Sequence, residues 1–89
     1  MSEPRHALSL YSRSYCHLCE AMLQALQATF GERYILDVQV IDIDLAPNVA
    51  WLAEYDEWVP VLTGHRAGVE ARLCHYHLDA GRVAAWLAG

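Results

Sequence analysis

The chain has 89 residues, which suffices for one small domain with one hydrophobic core but not for two domains. Hydrophobic residues make up 55% of it and charged residues 19%, a composition too apolar for a disordered segment. Six basic residues face eleven acidic ones, giving a net charge of -5. This excludes the basic surface that binding to nucleic acid or to an anionic membrane requires. We therefore predict a single domain over residues 1–89.

The first residues and the uncharged stretches of the chain bear on its location. The longest stretch without a charged side chain, residues 21–31, is eleven residues long, whereas a transmembrane helix needs about 18 or more. The N-terminal residues do not form a basic run followed by an apolar core, as a secretory signal would. We expect a cytoplasmic protein and a monomer.

The first half of the chain predicts a strand, a helix and a second strand. Residues 7–11 alternate apolar with small polar or amphipathic side chains, which predicts a strand that ends in a turn at residues 12–14. Apolar side chains then recur every four residues, and Gly31 follows them where a helix C-cap glycine belongs. These apolar residues are Leu18, Met22, Leu26 and Phe30. Residues 34–44 return to alternation with many β-branched side chains, which predicts the second strand.

The second half predicts a short helix, a β-hairpin and a last helix. Pro47 suits the first turn of a helix that ends near Tyr55. Residues 60–63 and 69–74 predict two strands joined by a glycine-flanked turn at residues 64–68. Asp79 can cap the last helix. The tryptophans lie on or next to apolar periodic positions, which favours core or cover positions over a binding platform. They are Trp51, Trp58 and Trp86.

The predicted order of elements is therefore β-α-β-α-β-β-α. The first two strands must be parallel because a helix crosses between them, whereas the hairpin strands are antiparallel. The sequence thus predicts an α/β domain with one mixed four-stranded sheet covered by helices on both faces.

Two of the three cysteines lie where the first strand gives way to the first helix. Cys16 is predicted at the helix N-terminus and Cys19 one turn later on the same side, so their sulfur atoms can meet. Free backbone N–H groups and the helix dipole favour a thiolate at Cys16, and such positions lower a cysteine pKa from about 8.5 to roughly 3.5–7.5. Cys16 is therefore the predicted nucleophile, and Cys19 is the predicted resolving thiol that attacks a mixed disulfide.

Two other readings of the cysteine pair remain open. A Cys-x-x-Cys pair can be half of a zinc site, for which the remaining donors would come from Cys74, His75 and His77, 55 or more residues later. The pair can also be two buried structural cysteines. The strand-loop-helix context favours redox chemistry, and we expect no metal. Cys74, in a strand, is predicted to be an inert buried thiol.

Two segments of the chain resemble the glutaredoxin-like branch of the thioredoxin-fold superfamily. The first is Tyr11-Ser12-Arg13-Ser14-Tyr15-Cys16-His17-Leu18-Cys19, and the second is Val59-Pro60-Val61-Leu62 on the predicted third strand. The chain is similar in particular to small bacterial glutaredoxin-like proteins with histidine and leucine between the cysteines. The resemblance covers essentially the whole chain and implies a thioredoxin-like fold.

The resemblance implies roles for two residues of the second segment. The Val59-Pro60 peptide bond would be cis, Pro60 would face the cysteine pair, and the backbone of Val59 would be free to pair with an extended thiol substrate. Without the resemblance, an ordinary trans proline at the start of an edge strand stays open.

The resemblance also implies roles for residues around Cys16. Arg13 would stabilise the thiolate or hold a carboxylate of glutathione, whereas without the resemblance it is a solvated loop arginine. Tyr15 would form a flat apolar wall beside the site, or else pack as a loop tyrosine. His17 replaces the proline that follows the first cysteine in typical glutaredoxins. A protonated imidazole there would lower the pKa of Cys16, while a neutral one would only be a first-turn residue.

Together these features predict a glutaredoxin-like thiol-disulfide oxidoreductase. Its substrate would be a disulfide-containing client protein or glutathione, with glutathione or a dithiol reductant as co-substrate and no bound cofactor. A redox-inactive interaction module with the same fold is the alternative from another class.

Overall fold

A computed structural model of the protein describes residues 5–45, 50 and 54–89. The elements in chain order are β1 (Arg5–Ser12), α1 (His17–Phe30), β2 (Ile35–Asp42), β3 (Val61–Arg66), β4 (Val69–His75) and α2 (Ala80–Ala88). The predicted helix between Pro47 and Tyr55 falls mostly outside the described residues, as does Trp51, although Glu54 and Tyr55 have helical backbone. Within the described parts of the chain, no helix is long and apolar enough to cross a membrane.

The four strands form one mixed sheet in the order β2-β1-β3-β4. β1 and β2 are parallel, because α1 carries the chain back between them, and β3 is antiparallel to both β1 and β4. The predicted α/β fold class and the mixed four-stranded sheet are thus confirmed.

The hairpin turn is shorter than predicted. Gly64 was expected in the turn, but it belongs to β3 and lies at its centre, paired with Leu8 of β1. The turn consists of Ala67 and Gly68, which have φ angles of 53° and 78°. Positive φ at both central residues gives the twist that a two-residue hairpin requires. The strand extends this far because the bare backbone of Gly64 leaves room for the ring of Trp86.

The two described helices pack on the same face of the sheet. Their apolar sides meet inward-facing residues of the strands in one buried cluster: Leu8, Leu10, Met22, Leu26, Phe30, Leu62, Leu73, Cys74, Val83 and Leu87. On the opposite face, Tyr55 packs with Tyr11, Ile43 and Val61. Tyr55, which has helical backbone, thus covers part of this second face, while most of the helix predicted there lies outside the described residues.

Polar side chains on this second face form a network around Glu70. Its carboxylate accepts hydrogen bonds from the hydroxyls of Tyr11 (2.6 Å) and Thr63 (2.7 Å). Burial would raise the pKa of Glu70, but these hydrogen bonds and the nearby His65 lower it overall. Burial and the same carboxylate raise the pKa of the Tyr11 hydroxyl. The network therefore fixes β1, β3 and β4 in register through side chains as well as through the backbone.

One edge of the sheet gathers four chain segments. Ser12, the last residue of β1, pairs with Asp42, the last residue of β2. Tyr11 pairs with Val61 at the start of β3, and Val61 pairs with His75 at the end of β4. The loops that follow β1, β2 and β4, and the segment that precedes β3, consequently meet at this edge.

Candidate active site

Cys16 and Cys19 are joined by a disulfide bond at the N-terminus of α1. Their Cα atoms are 5.2 Å apart, within the range that a disulfide accommodates. Cys16 is half-buried, whereas only 5% of Cys19 is exposed. The two sulfur atoms meet as the spacing predicts, and Cys16 is the more accessible of the two residues.

Cys16 is the N-cap residue of α1. Its backbone is extended, and its Sγ atom accepts a hydrogen bond from the N–H of Cys19 at 3.1 Å. An N-cap side chain normally offers an oxygen to this N–H group, and here sulfur takes that place. When the pair is reduced, the same N–H and the helix dipole would stabilise negative charge on Cys16.

The segment before β3 reaches the same edge of the sheet. The Val59-Pro60 peptide bond is cis. Pro60 is buried, and its carbonyl accepts a hydrogen bond from the N–H of Tyr76 at 2.9 Å. The backbone of Val59, expected to be free, is partly engaged, because its N–H donates to the carbonyl of Tyr55 at 3.2 Å.

An aromatic cluster adjoins this segment. Trp58 contacts the ring of His75 edge to face, with centroids 5.2 Å apart, and stacks on Tyr76 at 6.2 Å. Trp58 is 41% exposed and Tyr76 40% exposed. The prediction that Trp58 occupies a core or cover position was therefore wrong. Trp86, by contrast, packs against the buried cluster as cover.

Arg13 has its guanidinium bound by two carboxylates of the protein. Its Nε and Nη2 atoms donate to Asp44 at 3.2 and 3.0 Å, and Nη2 also donates to Asp56 at 2.6 Å. Hydrogen bonds from these two partners raise the pKa of Arg13. The family resemblance implies that Arg13 faces a thiolate or a substrate carboxylate, and nothing in the sequence indicates Asp44 and Asp56 as its partners.

Tyr15 and His17 flank Cys16 in the chain. Tyr15 has a positive φ of 61° and is fully exposed, with a relative accessibility of 101%. Its side chain therefore does not pack against the protein, so the packed loop tyrosine that the sequence left open was wrong. His17 is exposed at the first position of α1.

A cavity of about 320 Å³ opens beside the disulfide, between the loop after β1, the first turns of α1 and the end of β2. Both cysteines line it, together with Leu10, Ser12, Arg13, Ser14, Tyr15, Glu20, Leu23, Val40 and Asp42. Hydrogen bonds from the Ser14 hydroxyl and the Asp44 N–H lower the pKa of Asp42, so its carboxylate is ionised at neutral pH.

Cys74 is separate from this site. It is 8% exposed and belongs to the buried cluster beneath the helices. The prediction that this thiol is buried is confirmed, and burial raises its pKa. Among residues 5–45, 50 and 54–89, no group of three histidine, cysteine or acidic side chains is placed to hold a metal ion.

Comparisons with known proteins bear on the family and the fold of the chain. Residues 7–88 match the family described as Glutaredoxin-like domain (DUF836). A structural genomics target protein, XcR50 from X. campestris, is 32% identical, with 91% of this chain and 95% of that chain covered and a TM-score of 0.62. Thioredoxin O2 from Arabidopsis thaliana, in its oxidized state, is 16% identical over 93% of this chain and 72% of its own, with a TM-score of 0.56. This likeness concerns the fold. No curated protein matches the chain.

Proposed function

Because the chain belongs to the glutaredoxin-like domain family, we propose that it is a thiol-disulfide oxidoreductase that reduces disulfides of client proteins or small molecules. The observation that carries this proposal is the bond between half-buried Cys16 and buried Cys19 at a helix N-terminus. Family, fold and cysteine pair support a thiol redox role in general. The substrate class and the individual steps are our proposal.

The first step is attack by the Cys16 thiolate on one sulfur of the substrate disulfide. The substrate S–S bond breaks, one substrate sulfur leaves as a thiolate and takes up a proton, and Cys16 is left in a mixed disulfide. Cys16 suits this step because it is the more exposed cysteine and because the helix N-terminus favours its thiolate.

The second step is attack by Cys19 on the sulfur of Cys16. Cys19 gives up its proton, the mixed disulfide breaks, and the second substrate sulfur leaves as a thiol. The pair has then lost two electrons and is joined as in this structure. Glutathione or a dithiol reductant would return the two electrons.

The test is a single turnover with fully reduced protein that has been separated from its reductant. We expect mixing with excess bis(2-hydroxyethyl) disulfide to release two thiols for each protein disulfide formed, as counted by mass spectrometry after acid quenching. A reduced protein that releases no thiol faster than free cysteine would contradict the proposal. That outcome would favour an interaction module that keeps the fold without the activity.

We expect the protein to handle glutathione poorly, because of the loop between β4 and α2. Glutaredoxins resemble one another in a glycine pair before the last helix, where bare backbone approaches the γ-glutamyl carboxylate of glutathione. Here the stretch from Cys74 to Asp79 contains no glycine. Asp79 caps α2, as its side chain accepts the N–H of Arg82 at 3.0 Å.

The measurement compares two reactions of the same enzyme. One is turnover of a glutathionylated peptide with glutathione as reductant, and the other is turnover of an intramolecular protein disulfide with a dithiol. We expect the second to be faster. A clear preference for the glutathionylated peptide would show that the residues of this loop bind glutathione after all.

A further inference from the structure

The side chain of Arg13 places a positive charge beside the cysteine pair. It lines the same cavity as Cys16, the proposed nucleophile, and lies three residues before it in the chain. A guanidinium in this position would attract a substrate that carries a carboxylate, because the two groups form bidentate, charge-assisted hydrogen bonds.

In this protein, two of its own carboxylates already bind the guanidinium of Arg13. Asp44 takes both hydrogen bonds of a bidentate pair with Arg13, and Asp56 takes a third at 2.6 Å. Isolated surface ion pairs contribute little to stability, but a bidentate pair extended by a second acid is the geometry that persists. About a third of the Arg13 side chain is exposed, so substrate could reach it if these acids were absent.

The charges around the cavity do not restore a net attraction for anions. Asp42 and Glu20 line the cavity, and Asp44 and Asp56 bind Arg13 at its edge. Among the described residues, the cavity and the partners of Arg13 thus carry one guanidinium and four carboxylates. This surplus of carboxylates repels a disulfide that itself bears carboxylates, whereas it does not repel a neutral disulfide.

We propose that Asp44 and Asp56 determine the charge selectivity of the site: by occupying the guanidinium of Arg13, they disfavour disulfides that carry carboxylates. This rests on the proposed disulfide reductase function and specifies its substrate class as neutral or cationic disulfides. The local sequence does not indicate this arrangement, because Asp44 and Asp56 lie 31 and 43 residues from Arg13 along the chain.

The experiment is a double-mutant cycle in which the selectivity between an anionic and a neutral disulfide is measured. Single-turnover rate constants of reduced protein are measured with 3,3′-dithiodipropionate, which is anionic, and with neutral bis(2-hydroxyethyl) disulfide, and their ratio is compared among four proteins. These are the wild type, Arg13→Gln, Asp44→Asn/Asp56→Asn, and the triple variant. An ionic strength of about 0.15 M confines charge effects to neighbours within roughly 8 Å. Because each protein is judged by a ratio, a general loss of reactivity cancels.

We expect Asp44→Asn/Asp56→Asn to raise the anionic-to-neutral ratio about tenfold, because Arg13 becomes available to substrate. In the Asp44→Asn/Asp56→Asn background, Arg13→Gln should lower the ratio at least about tenfold. In the wild type it should lower the ratio at most about threefold, because the effects of substitutions at contacting residues are not additive. Equal effects of Arg13→Gln in the two backgrounds would overturn the inference, as they would mean that the acids do not occupy Arg13.

A matched control distinguishes the effect of Asp44 and Asp56 on selectivity from an effect of the protein's net charge. Glu32→Gln/Asp37→Asn removes two carboxylates remote from Cys16, one beyond the end of α1 and one in the first half of β2. It should leave the ratio unchanged within about twofold, since screened charges at that distance act weakly. A tenfold rise in this control would also overturn the inference.

The same measurements distinguish a failure of the charge-selectivity inference from a failure of the proposed disulfide reductase function. If reduced wild-type protein does not reduce the neutral disulfide, the proposed function fails. If it does so with equal effects in both backgrounds, only the inference fails. Should the double variant not fold, as judged by circular dichroism, Asp56→Asn alone removes the 2.6 Å contact and replaces it in the cycle.

Discussion

Replacing Cys16 by serine is expected to reduce the rate of disulfide reduction to that of the uncatalysed reaction. A serine hydroxyl is not ionised at neutral pH, so the helix N-terminus has no anion to stabilise and no nucleophile remains at the accessible position. Cys19 cannot replace it, because it is buried and lies one turn inside α1. The measurement is thiol release from bis(2-hydroxyethyl) disulfide.

Replacing Cys19 by serine is expected to have a different result. Cys16 can still attack, but the mixed disulfide has no neighbouring thiol to resolve it, so it accumulates. Mass spectrometry should find one substrate half attached to Cys16 in most of the protein. The same variant should retain client proteins when reduced extracts pass over it.

Cys74→Ser is the matched control for both variants. It also removes one thiol, but burial raises the pKa of Cys74 and its side chain packs in the core away from the disulfide. The control should keep the activity of the wild type per folded molecule. Normal turnover in Cys16→Ser, or adducts found on Cys74, would contradict the assignment of roles.

The order of the described elements and the position of the cysteine pair could be predicted because both depend on local patterns. The four-residue apolar period after Cys16 predicts α1, which ends at Phe30, one residue before the expected glycine. The parallel pairing of β1 and β2 then follows from the single helix between them. Cys16 at the helix start and Cys19 one turn later are consequences of the same period.

The partners of Arg13 could not be predicted in this way. Asp44 lies in the loop after β2 and Asp56 in the segment before β3, and both reach Arg13 because these segments meet the loop after β1 at one edge of the sheet. The family resemblance implies a thiolate- or substrate-binding role for Arg13, and nothing in the local pattern identifies which carboxylates will neutralise it.

Trp58 illustrates a second kind of error. An apolar sequence neighbourhood favours burial of a tryptophan but does not ensure it, since a large part of any folded surface is apolar. Its actual neighbours, His75 and Tyr76, are supplied by the far end of β4. Tyr76 meets it with a positive φ of 63°, a conformation that a sequence pattern does not indicate for tyrosine.

Gly64→Ala is expected to destabilise the protein by about 1–3 kcal/mol or more, the cost of forcing an extra carbon into a packed core. A Cβ atom at residue 64 would lie 2.5 Å from two carbon atoms of the Trp86 ring. The ring cannot easily withdraw, because the guanidinium of Arg66 lies over it, 4.1 Å from its centroid, and also donates to the Trp86 carbonyl. Gly64 itself is fixed between β1 and β4.

Urea denaturation would measure this loss, with Gly81→Ala as the control. A Cβ atom at Gly81 meets nothing closer than 3.7 Å, and the residue lies in the first turn of α2, where alanine is the better helix former by about 1 kcal/mol. Gly81→Ala should therefore be neutral or stabilising. In a Trp86→Leu background the cost of Gly64→Ala should largely disappear, because the ring that causes the clash is absent. An equal cost in both backgrounds would show that the strand backbone, and not Trp86, requires glycine at residue 64.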